Sequence, residues 1–377
     1  MHAYKYPCPV YPTLAASIAV YKPLKLIKLL QNQPISLLHH YYHSLKEEKK
    51  MATKQSHTFK VIGPFTLKVD IYTPSSSSTP PYDPETPIVL WLHGGGFVAA
   101  DRACLPPHIV QSCLSRNWPL VSADYRKLPQ TSGTDVFEDV KDAYRFVVEK
   151  VPVLLGGEGR CERVVVMGAS AGAYFSLLLG HSVSPRPIAV LTYGGIPSVS
   201  VPFFNSSIVM GPPGKPPMQQ TQIQAFLDEP ASIGSTPNSR AFHPSSLNSD
   251  LSRNLEFVMP KDEEGKSGFE RMALVLWFIQ TNAYPEKALL GIVDKRLGDE
   301  GWKDFPGTVL VHGDKDVVVP YELSVELSKV IGPKPAKLFT AKGQNHNFEG
   351  PLFLGDPGLA VVEEAWAALD DIVNAKS

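Results

Sequence analysis

Residues 163–179 read RVVVM, GASAG and AYFSLLL in succession. The three consecutive valines predict a buried strand, and the apolar residues after the glycines predict a helix. Between the two, Gly168 and Gly172 flank Ser170 in the G-x-S-x-G pattern, which exposes a serine on a sharp strand-to-helix turn. Small residues also form ordinary turns, so the pattern needs support from other parts of the chain. With that support, it indicates a nucleophilic serine at the end of a strand.

A second segment of strand and loop lies upstream, where residues 87–97 read PIVLWLHGGGF. Three glycines after a buried strand leave backbone N–H groups bare, so these groups can approach a substrate oxygen closely. We expect the N–H groups of Gly94, Gly95 and Ala171 to stabilise the oxyanion that forms during acyl transfer. A phosphate-binding loop is the alternative, but the segment contains neither G-x-x-x-x-G-K-[ST] nor G-x-G-x-x-G.

The other two members of a serine triad are expected later in the chain, with the acid before the histidine. Residues 308–320 read TVLVHGDKDVVVP, which predicts a short strand and then a loop with two carboxylates, Asp314 and Asp316. After a further predicted strand, residues 343–348 read GQNHNF. His346 would accept the proton of the serine, and one of the two aspartates would orient its ring.

These motifs together resemble those of the α/β-hydrolase superfamily, and in particular its esterases similar to hormone-sensitive lipase. The resemblance rests on HGGG at 93–96, on GASAG at 168–172 and on the Asp124-Tyr125-Arg126 segment between them. It implies an α/β fold with a mostly parallel central sheet, helices on both faces and a helical cap. The alternation of apolar runs with helical patterns from 88 to 193 agrees with that architecture.

The loop at 312–320 carries both carboxylates and is called the acid loop below. It resembles the superfamily pattern His-Gly-x-x-Asp-x-x-Val-Pro, which implies that Asp316 rather than Asp314 is the triad acid. Two positions depart from the esterase group. Ala169 stands where an acidic residue is usual, and Ala173 stands where a further glycine is common. These departures concern the subfamily and the substrate rather than the class of reaction.

The other histidines fit structural positions better than catalytic ones. His312 precedes the acid and is expected to support its loop, and His93 is expected to brace the glycine loop. His39, His40 and His43 lie in a predicted helix without a cysteine or carboxylate to complete a metal site, so we interpret them as surface or packing residues. A serine triad needs no metal and no cofactor, and we predict neither.

The composition is that of a large globular protein. The chain has 377 residues, of which 43% are hydrophobic, and its net charge is −1, which gives no attraction to nucleic acid. Its 4 cysteines form no CxxC pair, which favours free thiols and a cytoplasmic location. Lysines interrupt the apolar stretches of the first 30 residues, so we predict no membrane span there, and no signal peptide.

The order of the motifs predicts one catalytic domain with additions. We expect a helical cap or lid segment at 1–55, the catalytic domain at 56–196 and 303–377, and a helical cap insertion at 197–302. The apolar residues of that insertion are expected to line a pocket for the acyl or alcohol group, although any one of them is better explained by packing of the cap: Phe226, Phe242, Phe257, Met272, Leu276, Trp277 and Phe278.

The predicted function is hydrolysis of a carboxylic ester or related acyl compound through an acyl-enzyme on Ser170, and the expected partner is a small-molecule acyl ester that is apolar and fairly large. The same fold and triad also suit a specialised enzyme of secondary metabolism that acts as a hydrolase, acyltransferase, lyase or cyclase. A receptor of this family without catalysis is a further alternative, and the presence of His346 argues against it. A peptidase is the last alternative, without a supporting motif.

Overall fold

The computed structural model describes residues 52–63, 65–74, 82–211, 214–230, 243–259, 269–286, 290, 302, 304–332 and 336–375. Eight strands form one sheet in the order β1-β2-β4-β3-β5-β6-β7-β8. Their bounds are β1 (Ala52–Ile62), β2 (Phe65–Pro74), β3 (Ile88–Leu92), β4 (Leu120–Ala123), β5 (Val164–Ala169), β6 (Ala189–Tyr193), β7 (Gly307–Gly313) and β8 (Ala336–Ala341).

The sheet is antiparallel at one side and parallel through its centre. β1 pairs antiparallel with β2, and β2 pairs antiparallel with β4, so a long hairpin forms that edge. From β4 through β3, β5, β6 and β7 to β8, all neighbouring strands run parallel. Every residue of β3, β4, β5 and β6 is buried, as expected of parallel strands covered on both faces. The predicted α/β class is confirmed.

Helices cover both faces of this sheet. The described α-helices are α1 (Pro107–Ser115), α2 (Gly133–Glu149), α3 (Val151–Leu154), α4 (Ala171–Ser182), α5 (Gln224–Leu227), α6 (Ala273–Gln280), α7 (Tyr321–Ile331) and α8 (Ala360–Asn374). α2, α4 and α7 contribute to the hydrophobic core on one face, and α1 and α8 contribute to the core on the other. The carboxyl ends of β3, β5, β7 and β8 meet at one edge of the sheet because these strands are parallel. Each of the four predicted site loops follows one of them.

The chain between β6 and β7 adds no strand to the sheet in its described part. It contains α5, α6 and short turns of 3₁₀ helix, one of them at Phe269–Met272. Most of residues 287–301 of the predicted insertion, Phe242, and residues 1–51 of the predicted lid segment lie outside the described residues. Among the described residues, no helix has both the length and the apolar character that a membrane span requires.

Candidate active site

Ser170 occupies a strained turn between β5 and α4. Its backbone has φ 53° and ψ −118°, a positive φ that a residue with a side chain rarely adopts. The next strand holds this conformation, since the Ser170 N–H donates to the Tyr193 carbonyl oxygen at 2.9 Å. Strain that the surrounding hydrogen bonds maintain is common at functional sites. Here it sets the serine side chain apart from both the strand and the helix.

The two glycines that flank this serine are required by close backbone contacts. A Cβ at Gly172 would lie 2.0 Å from the Leu92 carbonyl oxygen, and a Cβ at Gly168 would lie 2.4 Å from the Gly172 carbonyl carbon. Neither position has room for a side chain, because the neighbours are backbone atoms that cannot move aside. The close packing of β3, β5 and α4 therefore explains the sequence pattern GASAG.

Asp316 contacts the histidine that follows β8. Its Oδ2 accepts a hydrogen bond from Nδ1 of His346 at 2.6 Å and another from Nε2 of His312 at 3.1 Å. Its Oδ1 accepts from the backbone N–H groups of Val318 and Val319, both at 2.8 Å. Burial favours the neutral acid, but the hydrogen bonds from His312 and His346 prevail and hold the pKa of Asp316 far below its usual range. The carboxylate is therefore charged and poised to orient His346.

Asp314 has a different partner. Its Oδ1 accepts a hydrogen bond from the Gly343 backbone N–H at 2.6 Å, which joins the acid loop to the turn after β8. Asn345 makes a second link, since its Oδ1 accepts from the N–H groups of Val317 and His346. These bonds hold the two loops together. The structure thus places Asp316, and not Asp314, against His346.

Ser170 and His346 line one cavity of about 270 Å³ at the carboxyl edge of the sheet. Its wall is mostly apolar, and its lining residues are Gly96, Ser170, Ile196, Phe204, Met272, Val275, Ile279, Tyr284, Val318, Val319, Asn345, His346 and Asn347. An apolar cleft with a few polar groups on one side is typical of a small-molecule site.

The insertion reaches this cavity through one face of α6 and the turn before it. Met272, Val275 and Ile279 follow the i, i+3, i+7 spacing of a helix face, and all three line the cavity. Met272 was expected there. Leu276, Trp277 and Phe278 belong to the same predicted group, and the cavity lining does not include them. Phe226 and Phe257 lie outside the lining as well.

The glycine loop after β3 lies against the serine. A Cβ at Gly94 would lie 3.3 Å from the Ser170 Cβ and 3.1 Å from the Ala169 carbonyl oxygen. Gly95 has φ +111°, and a Cβ there would lie 2.3 Å from the Ala99 carbonyl oxygen. The backbone N–H groups of Gly94 and Gly95 have no hydrogen-bond partner among the described residues. The loop therefore brings bare donors close to the serine.

The carbonyl groups of this loop, by contrast, are firmly held. The Tyr125 hydroxyl donates to the His93 carbonyl oxygen at 2.6 Å, and Nδ1 of the His93 ring lies 2.6 Å from the Gly94 carbonyl oxygen. The Tyr284 hydroxyl donates to the Gly96 carbonyl oxygen at 3.1 Å. The rings of His93 and Tyr125 stack with their centroids 4.1 Å apart. His93 thus braces the loop, as the sequence predicts.

Sequence reasoning missed several buried residues around the site. Lys127 and Glu349 are buried although their residue types are usually exposed, and Arg271 is buried in the insertion. The Arg271 Nε donates to the Val98 carbonyl oxygen at 2.6 Å and so ties the insertion to the glycine loop. Nothing in the local sequence distinguishes these residues from surface charges, because their burial comes from packing between distant segments.

Comparison with known proteins gives a family match and relatives. A family model named BD-FAE matches residues 69–190. A Phoma sp. protein named "Probable carboxylesterase M8" is 25% identical over 285 residues, which cover 71% of this chain and 81% of that protein. A non-reducing polyketide synthase of Preussia isomera is 26% identical over 310 residues, which cover 77% of this chain. The chain spans only 13% of that synthase.

Solved structures agree on the architecture. An α/β-hydrolase superfamily protein from Enterococcus faecalis has a TM-score of 0.56 at 17% identity, over 86% of this chain and 99% of that one. At this identity the likeness concerns the fold. The sheet order, the turn that carries Ser170 and this structural likeness agree with one another, and the chain therefore has the α/β-hydrolase fold.

Proposed function

We propose that this protein hydrolyses carboxylic esters through an acyl-enzyme on Ser170. One observation carries the proposal: the Asp316–His346 pair, with 2.6 Å between its atoms, opens on the same cavity as the strained Ser170. Since Nδ1 of His346 donates to Asp316, its Nε2 is the nitrogen that can accept a proton. This is the division of roles found in a serine triad. The carboxylesterase relative supports the same reaction class.

The proposed reaction has two steps. In the first, Oγ of Ser170 attacks the ester carbonyl while His346 takes its proton, and the bond to the alkoxy oxygen then breaks as His346 protonates the departing alcohol. In the second, His346 takes a proton from water, the hydroxide attacks the acyl carbon, and Ser170 leaves with the proton from His346. The free acid is the product.

Backbone N–H groups would stabilise the negative oxygen in both steps. Gly94 and Gly95 offer unused donors beside the serine, and Ala171 offers the N–H of the residue that follows it. Such donors act most strongly in the transition state, where the carbonyl oxygen carries the charge. Losing one donor of this kind costs about 10²–10³ in kcat.

The test combines covalent labelling with turnover. A fluorophosphonate should add one adduct mass to the wild-type protein and none to Ser170→Ala, which should also lose about 10³–10⁶ of p-nitrophenyl butyrate turnover. Ser328→Ala serves as the matched control, since Ser328 lies on α7 and its hydroxyl bonds only the Val325 carbonyl oxygen among the described residues. Full turnover by Ser170→Ala, with an unchanged circular dichroism spectrum, would contradict the proposal.

The apolar wall of the cavity supports an apolar acyl group as the substrate's bound part. Each buried methylene contributes up to ~0.8 kcal/mol, so kcat/KM should rise from acetate towards acyl chains of about four to eight carbons until the cavity is full.

Buried free thiols at Cys113 and Cys161 support the cytoplasm as the compartment.

The relatives also favour a second candidate, a specialised enzyme that acts on polyketide acyl groups. Several similar proteins are polyketide synthases, and the chain matches a small portion of each. Such an enzyme would use the same nucleophile on an aromatic polyketide ester or thioester. A panel of simple esters and esters of a methylated dihydroxybenzoic acid separates the two candidates. Turnover confined to the aromatic acyl group would favour the specialised enzyme, and a rising profile on simple acyl chains would favour the general esterase.

A further inference from the structure

Lys127 is a lysine with no exposure to solvent, located just after β4 and behind the glycine loop. Its Nζ lies 3.1 Å from Nε2 of His93, donates to the Tyr125 carbonyl oxygen, and sits 3.8 Å from the centroid of the Tyr125 ring. No described carboxylate forms an ion pair with it, although Asp124 and Asp101 attract its charge from farther away. The lysine is thus turned towards the ring that braces the loop.

Burial of this amine lowers the stability of the folded state. Desolvation lowers the pKa of Lys127 to about 7, against the opposing attraction of Asp124 and Asp101. A methionine is similar in length and would occupy the same space without this cost. The presence of an amine here therefore indicates that its hydrogen bonds have a use.

The contacts of His93 define which of its nitrogens carries the proton. The Gly94 carbonyl oxygen can only accept a hydrogen bond, so Nδ1 of His93, 2.6 Å away, must be the donor. In a neutral ring Nε2 is then an acceptor, and it faces the N–H groups of the Lys127 amine. Donation from Lys127 consequently favours the tautomer of His93 that binds the loop.

The held carbonyl groups fix the N–H groups of the next residues. In a trans peptide the C=O of one residue and the N–H of the next point in opposite directions. The bond from Tyr125 to the His93 carbonyl therefore directs the Gly94 N–H, and the bond from the His93 ring to the Gly94 carbonyl directs the Gly95 N–H. Both N–H groups are the donors invoked for the oxyanion.

We propose that Lys127 is a positioning residue for the oxyanion hole: its hydrogen bond to His93 maintains the Nδ1–H tautomer, and this tautomer holds the peptide that presents the Gly95 N–H. The inference rests on the proposed function, since it assigns Gly95 a role in that reaction. Lys127 acts through His93 and does not touch the substrate.

The decisive variant is Lys127→Met, which keeps the length of the side chain and removes the donor. We expect kcat on p-nitrophenyl butyrate to fall at least about tenfold, and at most by the 10²–10³ that complete loss of an oxyanion donor costs, while KM stays within about twofold. Affinity for a trifluoromethyl ketone, whose adduct with Ser170 bears an oxyanion, should fall by the same factor as kcat/KM. Lys127→Gln, which retains a donor group, should recover part of the loss, and Lys329→Met, at an exposed position of α7, should change nothing.

A spectroscopic measurement on the wild-type protein tests the tautomer without any variant. With nitrogen-15 labelled histidine, the His93 signals should show a protonated Nδ1 and an unprotonated Nε2. Protonation on Nε2 alone would overturn the inference, even if Lys127→Met failed to fold. So would a Lys127→Met protein that keeps the wild-type kcat and ketone affinity, or one that loses affinity for ketone and ground-state substrate equally.

Failure of the proposed function gives a different result. A wild-type protein that hydrolyses no ester and forms no fluorophosphonate adduct would refute the esterase proposal, and with it the role of Lys127 in catalysis. A wild-type protein that is active and forms the adduct, but in which Lys127→Met keeps its kcat, would refute only the role of Lys127.

Discussion

Two histidines contact Asp316, and the groups around their rings give them different roles. His312 is buried: its Nε2 donates to Asp316 and to the Val319 carbonyl oxygen, and its Nδ1 accepts from the Ser324 hydroxyl at 2.7 Å. Both nitrogens are thus occupied inside the protein. His346 has only its Nδ1 on Asp316, and its ring lines the cavity. Of the two, only His346 is placed to exchange a proton with a substrate.

This difference leads to a prediction for the two aspartates of the acid loop. Asp316→Asn should lower kcat on p-nitrophenyl butyrate by about 10⁴, because an amide does not stabilise the correct tautomer and the charged ring of His346. Among the described residues, the Asp314 side chain bonds only the Gly343 N–H, so we expect Asp314→Asn to cost less than about tenfold. Steady-state kinetics on both variants, with melting temperature as the folding control, make the comparison. The opposite ranking would move the acid to Asp314.

At the scale of single residues, the sequence was sufficient to identify candidate site residues that belong to short motifs. Ser170, His346 and the glycines of the loop are recognisable because close backbone approach and fixed chain order constrain their neighbours. Asp316 needed the pattern of the whole loop to be preferred over Asp314. Lys127 and Tyr284 were not predictable, since their partners, His93 and Gly96, lie far away along the chain.

Among the secondary-structure elements, α6 connects the insertion to the glycine loop. Val275 packs so closely on this loop that a Cβ at Gly96 would lie 2.3 Å from its Cγ2. The same side chain lines the cavity, whereas its neighbour Leu276 does not. The sequence predicted a helical insertion in this part of the chain. It could not predict which face points to the cavity, because the whole segment is apolar and every face is a candidate for burial.

The orientation of α6 gives a matched pair of substitutions. Val275→Phe should fill part of the cavity, so the ratio of kcat/KM for butyrate to that for acetate should fall by about fourfold for each methylene excluded. Leu276→Phe adds the same ring to an adjacent face and should leave the ratio near its wild-type value. Chain-length profiles of kcat/KM on soluble p-nitrophenyl esters measure both. Equal effects of the two substitutions would mean that α6 does not form the acyl pocket.

Across the whole molecule, the valine-rich and leucine-rich strands made the parallel sheet predictable from the sequence. The burial of ionisable residues in the interior was not predictable. Burial raises the pKa of Glu349 to about 7, and the charge of Asp316 adds to this rise. Lys127 has a pKa lowered to about 7 by burial. These two groups lie in the core for reasons of tertiary packing, and they make stability depend on pH in opposite directions.

The sign for each group follows from proton binding in the folded and unfolded states. Glu349 titrates near its usual value of 4.5 when unfolded and near 7 when folded, so the folded state binds more protons between these values. Its contribution to stability is complete below about pH 4.5 and disappears as the pH rises through 7. For Lys127 the unfolded state binds more protons between about 7 and 10.5, so stability rises with pH in that window.

Glu349→Gln isolates the first of these contributions. The amide keeps the size of the side chain and cannot ionise, so the variant should gain stability over the wild type as the pH rises from 4.5 to 7, by a change on the order of 3 kcal/mol. Urea unfolding at a series of pH values measures the difference, and Glu364→Gln on the exposed side of α8 provides a control that should follow the wild type. Because each variant is compared with the wild type at the same pH, the titration of all other groups cancels. If the difference in the free energy of unfolding between variant and wild type stays constant from pH 4.5 to 7, Glu349 is already ionised in the folded protein at pH 4.5. Its carboxylate would then have a buried partner strong enough to offset desolvation.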